Sequence, residues 1–384
     1  MREPPMSAPP MSDNYVPPPH GQEWRRAASG ETGLDPAALA TAAAFATSHE
    51  TPWARDLSTV IGTGFFEPPP WNEIIGEVAP RGAPNGLVLH RGLIVAEWGD
   101  TSRVDMTFSV AKSYLSLLAG IAHQRGLLPD VHEPVGKRID DGGFASPHNA
   151  AITWHHLLQQ TSEWEGEMWG KPDIIDRNRD LMLEGRGRKG EARPLQPPGT
   201  FWEYNDVRVN RFSLALLRLF RRPLPEVFRE AFMAPLGASS EWRWRGYRNS
   251  TIEIDGKPIE SVSGGGHWGG GVFIHARDQA RIGLMLQRRG TWGEQRLLAE
   301  DWIDRSTVPC ALNQQYGYLW WLNTNSVRYP GAPASGYSAN GAGGNITWID
   351  PANELVAVAR WIDPAAIDGF LTRVMEAVPA RARG

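Results

Sequence analysis

Ser109-Val110-Ala111-Lys112 lies at the start of a proline-free stretch of helical periodicity that runs from Phe108 to Gln124. Residues i and i+3 share one face of a helix, so this spacing brings the lysine back over the serine hydroxyl. A serine hydroxyl is a poor nucleophile until a neighbouring group takes its proton. At a helix N-terminus, backbone N–H groups and a positive partial charge also face any oxyanion that forms there. A helix cap followed by a solvent-facing lysine is the bland reading of the same tetrapeptide. Scarcity favours the chemical reading: lysine occurs only at 112, 137, 171, 189 and 257, and no other lysine has a serine three residues before it.

On the N-terminal side, Gly86–His90 and Leu93–Trp98 are apolar runs separated by Arg91-Gly92, a hairpin signature. Further upstream, Asp35 caps a helix to Ser48 with Pro36 in its first turn. On the C-terminal side, Val272–His275 and Tyr316–Leu322 read as strands and Asp278–Gln287 as an amphipathic helix. Asn345–Ile349 and Leu355–Trp361 form a hairpin about Asp350-Pro351-Ala352-Asn353, and a last helix covers Ala365–Val378. Between Pro129 and Val262 strand signals are few, and Trp154–Gln160 and Val209–Phe220 look helical. The expected fold class is therefore α+β: an antiparallel β-sheet flanked by helices, with an inserted, mainly helical domain. The expected division is a proline-rich flexible tail at 1–33, a sheet domain from 34–129 and 262–384, and the insertion at 130–261.

Composition sets the outer bounds. The chain has 384 residues, 41% hydrophobic and 21% charged, with a net charge of −4. So even a balance argues against nucleic acid as a partner. The single cysteine, Cys310, excludes an internal disulfide and a cysteine-based zinc site. Neither a signal peptide nor an apolar run of membrane-spanning length is read in the sequence, so the cytoplasm is the expected compartment and no membrane partner is expected. The 17 tryptophans suit a core, and some of them an apolar cleft.

Two further segments bear on chemistry. Pro198-Gly199-Thr200 leads through Phe201, Trp202 and Glu203 to Tyr204-Asn205-Asp206 and a helix. A tyrosine beside cations can serve as a general base; a buried tyrosine with a satisfied hydroxyl is the plainer reading. His155 and His156 in Thr153–Ser162 point about 100° apart on a helix, which does not suit a shared metal.

Taken in this order, the segments resemble the superfamily of serine β-lactamases, penicillin-binding proteins and family VIII esterases, and within it the esterase and 6-aminohexanoate-dimer hydrolase branch. The resemblance spans about Gly86 to Trp361 and rests on Ser109-x-x-Lys112, His156-Leu157-Leu158-x-x-Thr161-Ser162, Pro198-Gly199-Thr200 before Tyr204-Asn205-Asp206, and the helix start Ala276-Arg277-Asp278. It implies that Ser109 attacks an ester or amide carbonyl, with Lys112 and Tyr204 sharing the proton transfers. A third motif is expected on an edge strand near Gly336–Gly344, with Ala339-Asn340-Gly341 in register. The N–H groups of Ser109 and Ala342 would then form the oxyanion hole. No cofactor is implied, and no metal.

The chain departs from antibiotic-acting members at two positions. Ala339 stands where a lysine or histidine meets a β-lactam carboxylate, and Asp206 stands where an amide is usual. Substrate contacts are expected from Asp206, Trp164, Glu165, Trp169, Asn340, Gly341, and from His267 and Trp268 within the glycine cluster 264–271. The expected substrate is a small ester or amide. A 6-aminohexanoate-dimer type amidase, a β-lactamase or D-peptidase, an acyltransferase and an inactive binding homologue are the alternatives. The oligomeric state is left open.

Overall fold

The computed structural model describes residues 15–179 and 188–379. The elements that set the site are, in chain order, α1 (Pro36–Ser48), β1 (Asn85–His90), β2 (Leu93–Trp98), β3 (Asp105–Met106), α2 (Val110–Gln124), α3 (Trp154–Gln159), α4 (Asp206–Phe220), β4 (Arg243–Ile254), β5 (Lys257–Val262), β6 (Gly271–Ile274), α5 (Ala276–Gln287), β7 (Trp321–Leu322), β8 (Tyr337–Gly341), β9 (Asn345–Asp350), β10 (Leu355–Arg360) and α6 (Ile367–Glu376).

Six of these strands form an antiparallel sheet in the order β7-β8-β9-β10-β1-β2. Side chains alternate between the faces of a strand, and the buried residues here divide accordingly. Leu87 and Leu89 of β1, with Val356 and Val358 of β10, join the core shared with α2 and α5. Val88, Leu355, Ala357 and Ala359 face the opposite way, with Trp348, toward α1 and α6. Both faces are therefore covered, which is why these strands are apolar almost without interruption. The early hairpin and the late strands meet at β1–β10, where Leu87 pairs with Val358.

A second sheet, β3-β6-β4-β5, lies beside the first. Arg360, 1% exposed at the end of β10, connects them: its guanidinium donates to Asn345 Oδ1 (2.6 Å), Ile274 O (2.9 Å) and Met106 O (2.7 Å). Three donors of a rigid fork are thus matched by three acceptors, which lets a buried charge stand without a carboxylate.

Three expectations change. Residues 15–33, assigned to a flexible tail, lie against the body: Trp24 is buried and donates to Gly92 O at 2.8 Å, and residues 25–27 run beside Ile94. That contact covers part of the edge strand β2. The rest of the expected tail, 1–14, is outside the described residues. Within 130–261, α3 and α4 form, but the hairpin β4–β5 accompanies them, and its residues share one core with the sheet. Of the expected strand Tyr316–Leu322 only Trp321–Leu322 joins the sheet, and it caps β8, so the third-motif strand is not the sheet edge. Among the described residues no helix is long and apolar enough to cross a membrane.

Candidate active site

Ser109 occupies the N-cap of α2 and does not use its side chain to cap it. The preceding residue, Phe108, has φ +51, a left-handed conformation uncommon outside glycine. It is held there by packing against Trp53, Phe66 and Trp361. One turn into the helix, Lys112 is 1% exposed, and its Nζ donates to Ser109 Oγ at 2.8 Å. The same Nζ donates to Asp206 Oδ1 at 2.6 Å. Asp206 begins α4, whose N-cap Asn205 accepts from Arg208 N. Thus the fixed start of α4 carries a carboxylate to the lysine.

Tyr204, two residues before, is buried with its ring stacked on Trp321 (5.5 Å between centroids, 26°). Lys112 Nζ lies 4.7 Å from the ring centroid and the Arg179 guanidinium 5.0 Å from it. The tyrosine is therefore flanked by two cations. Among the described residues its hydroxyl makes no hydrogen bond to Lys112 or Ser109, so the expected three-way contact is a serine–lysine bond with the tyrosine ring alongside.

Ser109 and Tyr204 open onto a cavity of about 350 Å³, walled also by Arg179, Trp321, Arg328 and Tyr329 and by Asn340, Gly341 and Ala342 of the third-motif segment. Gly341 lies so close to the nucleophile segment that a Cβ on it would stand 1.8 Å from Thr107 O. The Asn340 amide meets the Tyr329 hydroxyl at 2.6 Å. Among the described residues the N–H groups of Ser109 and Ala342 donate to no other group, and both residues border the cavity.

The other expected contact residues lie elsewhere. Asp206 is buried behind Lys112 and also accepts from Arg179 at 2.5 Å. Burial works against its charge, but Lys112, His267 and Arg179 hold the carboxyl well below the usual range. Trp164 is buried and donates to Gly143 O. Glu165 is exposed, Trp169 is half-buried, and neither borders the cavity. Trp268 is buried with its N–H on Trp71 O, and His267 stacks on it below the site. The glycine cluster does serve close approach: a Cβ on Gly265 would lie 1.9 Å from Asp206 Oδ1 and 2.5 Å from Lys112 Nζ.

Behind Tyr204 a buried charge network fixes the turn. Glu163 pairs with Arg193 (2.6 Å) and Arg208 (2.7 Å), and Arg208 also meets Glu203 and Asp173. Burial opposes the Glu163 charge, yet these arginines bring its carboxyl down to about 2. Beneath Asp206, Glu67, Asp176 and His267 converge closely enough to hold a metal ion. A cation is already there: Lys189 Nζ lies 2.6 Å from Glu67 and 3.0 Å from Asp176. Lys189 thus supplies the positive charge beside these carboxyl groups.

Sequence reading missed Arg179, Trp321, Arg328 and Tyr329 in the wall. The aromatic run 316–321 was a visible signal for Trp321; nothing local marks Arg179.

A family model described as Beta-lactamase matches residues 88–359. Among solved structures the chain is similar to a family VIII carboxylesterase, at 16% identity, 77% of this chain, 92% of that one and a TM-score of 0.56. It is similar to EstA from Arthrobacter nitroguajacolicus Rue61a (18% identity, 77% and 91% coverage, TM-score 0.54). It also resembles a penicillin-binding protein homolog from Caulobacter crescentus (16% identity, 83% and 95% coverage, TM-score 0.53). At these identities the likeness establishes the fold.

Proposed function

The chain belongs to the beta-lactamase family, and from that premise we propose that it is a serine hydrolase that cleaves a small ester or amide through an acyl-enzyme on Ser109. The observation that carries this reading is the 2.8 Å bond between Ser109 Oγ and the buried Lys112 Nζ at the edge of the cavity. Ser109 Oγ adds to the substrate carbonyl as its proton passes to the Tyr204 oxygen, while Lys112, held by Asp206, stays beside the serine oxygen as a donor. The N–H groups of Ser109 and Ala342 take the oxyanion. Collapse of the adduct breaks the carbonyl–leaving group bond, and the leaving alkoxide or amine recovers that proton by way of Tyr204. Water then gives up a proton to Tyr204 and attacks the acyl carbonyl, releasing acid and restoring Ser109.

Among the described residues the wall carries no carboxylate, which favours a neutral or carboxylate-bearing substrate over one with a cationic end. Asp206 is turned to Lys112 and Arg179, Glu165 does not border the cavity, and the charged wall residues are Arg179 and Arg328. Arg179 is itself paired with Asp206 and Asp176, so it does not simply replace the cation missing at Ala339. Esters are the preferred class, because an alkoxide leaves more readily than an amine.

The test compares wild type with Ser109→Ala on short-chain p-nitrophenyl esters, a chromogenic cephalosporin and a 6-aminohexanoate dimer, with intact-protein mass read in parallel. Turnover with an acyl adduct that Ser109→Ala lacks is the expected result. Equal activity of the two proteins overturns the assignment.

A further inference from the structure

We propose that His267 is a positioning residue for the Ser109–Lys112 pair, its imidazole bridging the carboxyl groups of Asp206 and Glu67 so that Asp206 is held against Lys112. The inference rests on the acyl-enzyme reading and extends it inward. His267 Nδ1 lies 3.2 Å from Asp206 Oδ2, and Nε2 lies 3.2 Å from Glu67 Oε1. The ring is 2% exposed, stacked on Trp268 at 4.7 Å and 15°, with Phe66 edge-on at 4.4 Å. It cannot rotate away without displacing two aromatic rings. Asp206 thus has Lys112 on one oxygen and His267 with Arg179 on the other, which fixes the carboxylate plane.

The protons can be arranged in one consistent way. A neutral imidazole has one N–H and one acceptor nitrogen. Burial lowers His267 to about 4, against the pull of Asp206 and Asp176, so the ring is neutral near pH 7. Burial and the nearby Asp176 raise Glu67 to about 8, against Lys189 and Arg179, so this carboxyl keeps its proton there. The tautomer this favours turns Nδ1–H toward the Asp206 carboxylate and Nε2 toward the Glu67 O–H, each 3.2 Å away. The opposite tautomer would set a bare nitrogen against a carboxylate oxygen. Other charged groups facing the ring are Asp176, with Oδ2 3.9 Å from Nδ1, and Arg179; Lys189 faces Glu67. Glu67, His267, Asp206, Lys112 and Ser109 therefore form one line from the interior to the nucleophile, drawn from four segments of the chain.

The test measures the acylation burst and steady-state kinetics with a p-nitrophenyl ester for wild type, His267→Phe, His267→Asn, His267→Gln and Glu67→Gln. His267→Phe should lower kcat by about 10- to 100-fold with KM nearly constant, the size of a lost charge-assisted hydrogen bond. Asparagine places an N–H where Nδ1 was and should recover more activity than glutamine, whose amide reaches toward Glu67. Wild-type kcat should fall as Glu67 ionises above about pH 8, and Glu67→Gln, which donates to Nε2 but cannot ionise, should lack that break. Unchanged acylation in His267→Phe, equal recovery by asparagine and glutamine, or a break that persists in Glu67→Gln would each overturn the proposal. If the phenylalanine variant does not fold, the Asn/Gln comparison and the pH profile still decide. Failure of wild type itself to acylate would instead count against the acyl-enzyme reading.

Discussion

Lys112 and Asp206, 94 residues apart, meet at 2.6 Å with both side chains closed to solvent. A buried pair of this kind is costly to break because the surviving charge has no water to turn to. Asp206→Ala should therefore destabilise the protein by about 3–5 kcal/mol in denaturant titration and cut kcat by about 100-fold or more. Asp206→Asn keeps an acceptor for Lys112 and should lose less of both. Equal losses in the two variants would show that the charge, rather than the contact, is what Lys112 requires.

Gly265 and Gly341 hold the backbone close to the reacting groups from opposite sides. An alanine methyl at 265 meets Asp206 and Lys112, and one at 341 meets Thr107 O. Each Gly→Ala change should cost about 1–3 kcal/mol and most of the hydrolysis proposed for Ser109. Gly62→Ala, with Ile74 as its nearest neighbour at 3.8 Å, is the control expected to leave kcat and melting temperature in place.

Acid stability should depend on Glu163. Its folded carboxyl is lowered from 4.5 to about 2, so its contribution is fully present above the ordinary glutamate range and is lost as pH falls through about 2. The shift corresponds to on the order of 3 kcal/mol. Glu163→Gln should unfold more easily at pH 7 and show a flatter stability profile between pH 5 and 2. A variant whose profile runs parallel to wild type would remove Glu163 from the account.

Substrate charge should register in KM. With Arg179 and Arg328 in the wall, a p-nitrophenyl half-ester of a dicarboxylic acid should bind about tenfold more tightly than the matching ester with a terminal amine, the difference of one charge-assisted contact. The reverse order, read from initial rates at low salt, would remove these arginines from substrate selection.

Local patterns made much of this readable. The Ser109–Lys112 contact follows from three-residue spacing on a helix, and the hairpin 85–98 from two apolar runs around Arg91-Gly92. Within the glycine cluster, Gly265 makes a close backbone approach to Asp206 and Lys112. Unread features come from long-range juxtaposition, which no periodicity encodes. Glu67, Asp176, Asp206 and His267 lie on four separate segments, and only the fold makes them neighbours. Trp164 and Glu165, expected as substrate contacts, follow the Thr161-Ser162 turn. That turn instead directs Trp164 into the core, while Glu165 faces solvent. The hairpin β4–β5 escaped notice because Arg243, Arg245, Arg248 and Glu253 give it a polar outer side.

The grip of Arg360 on Met106 O has a consequence for synthesis on the ribosome. The carbonyl three residues before Ser109 is fixed by a side chain made some 250 positions later, and β1 waits for β10 over a similar distance. For most of translation the nascent chain therefore carries β1 with one flank unpaired, a surface on which two growing chains can associate. The backbone leading into Ser109 gains this hold only when the last strand of the sheet arrives, so a chain released early lacks the hold and keeps the unpaired flank.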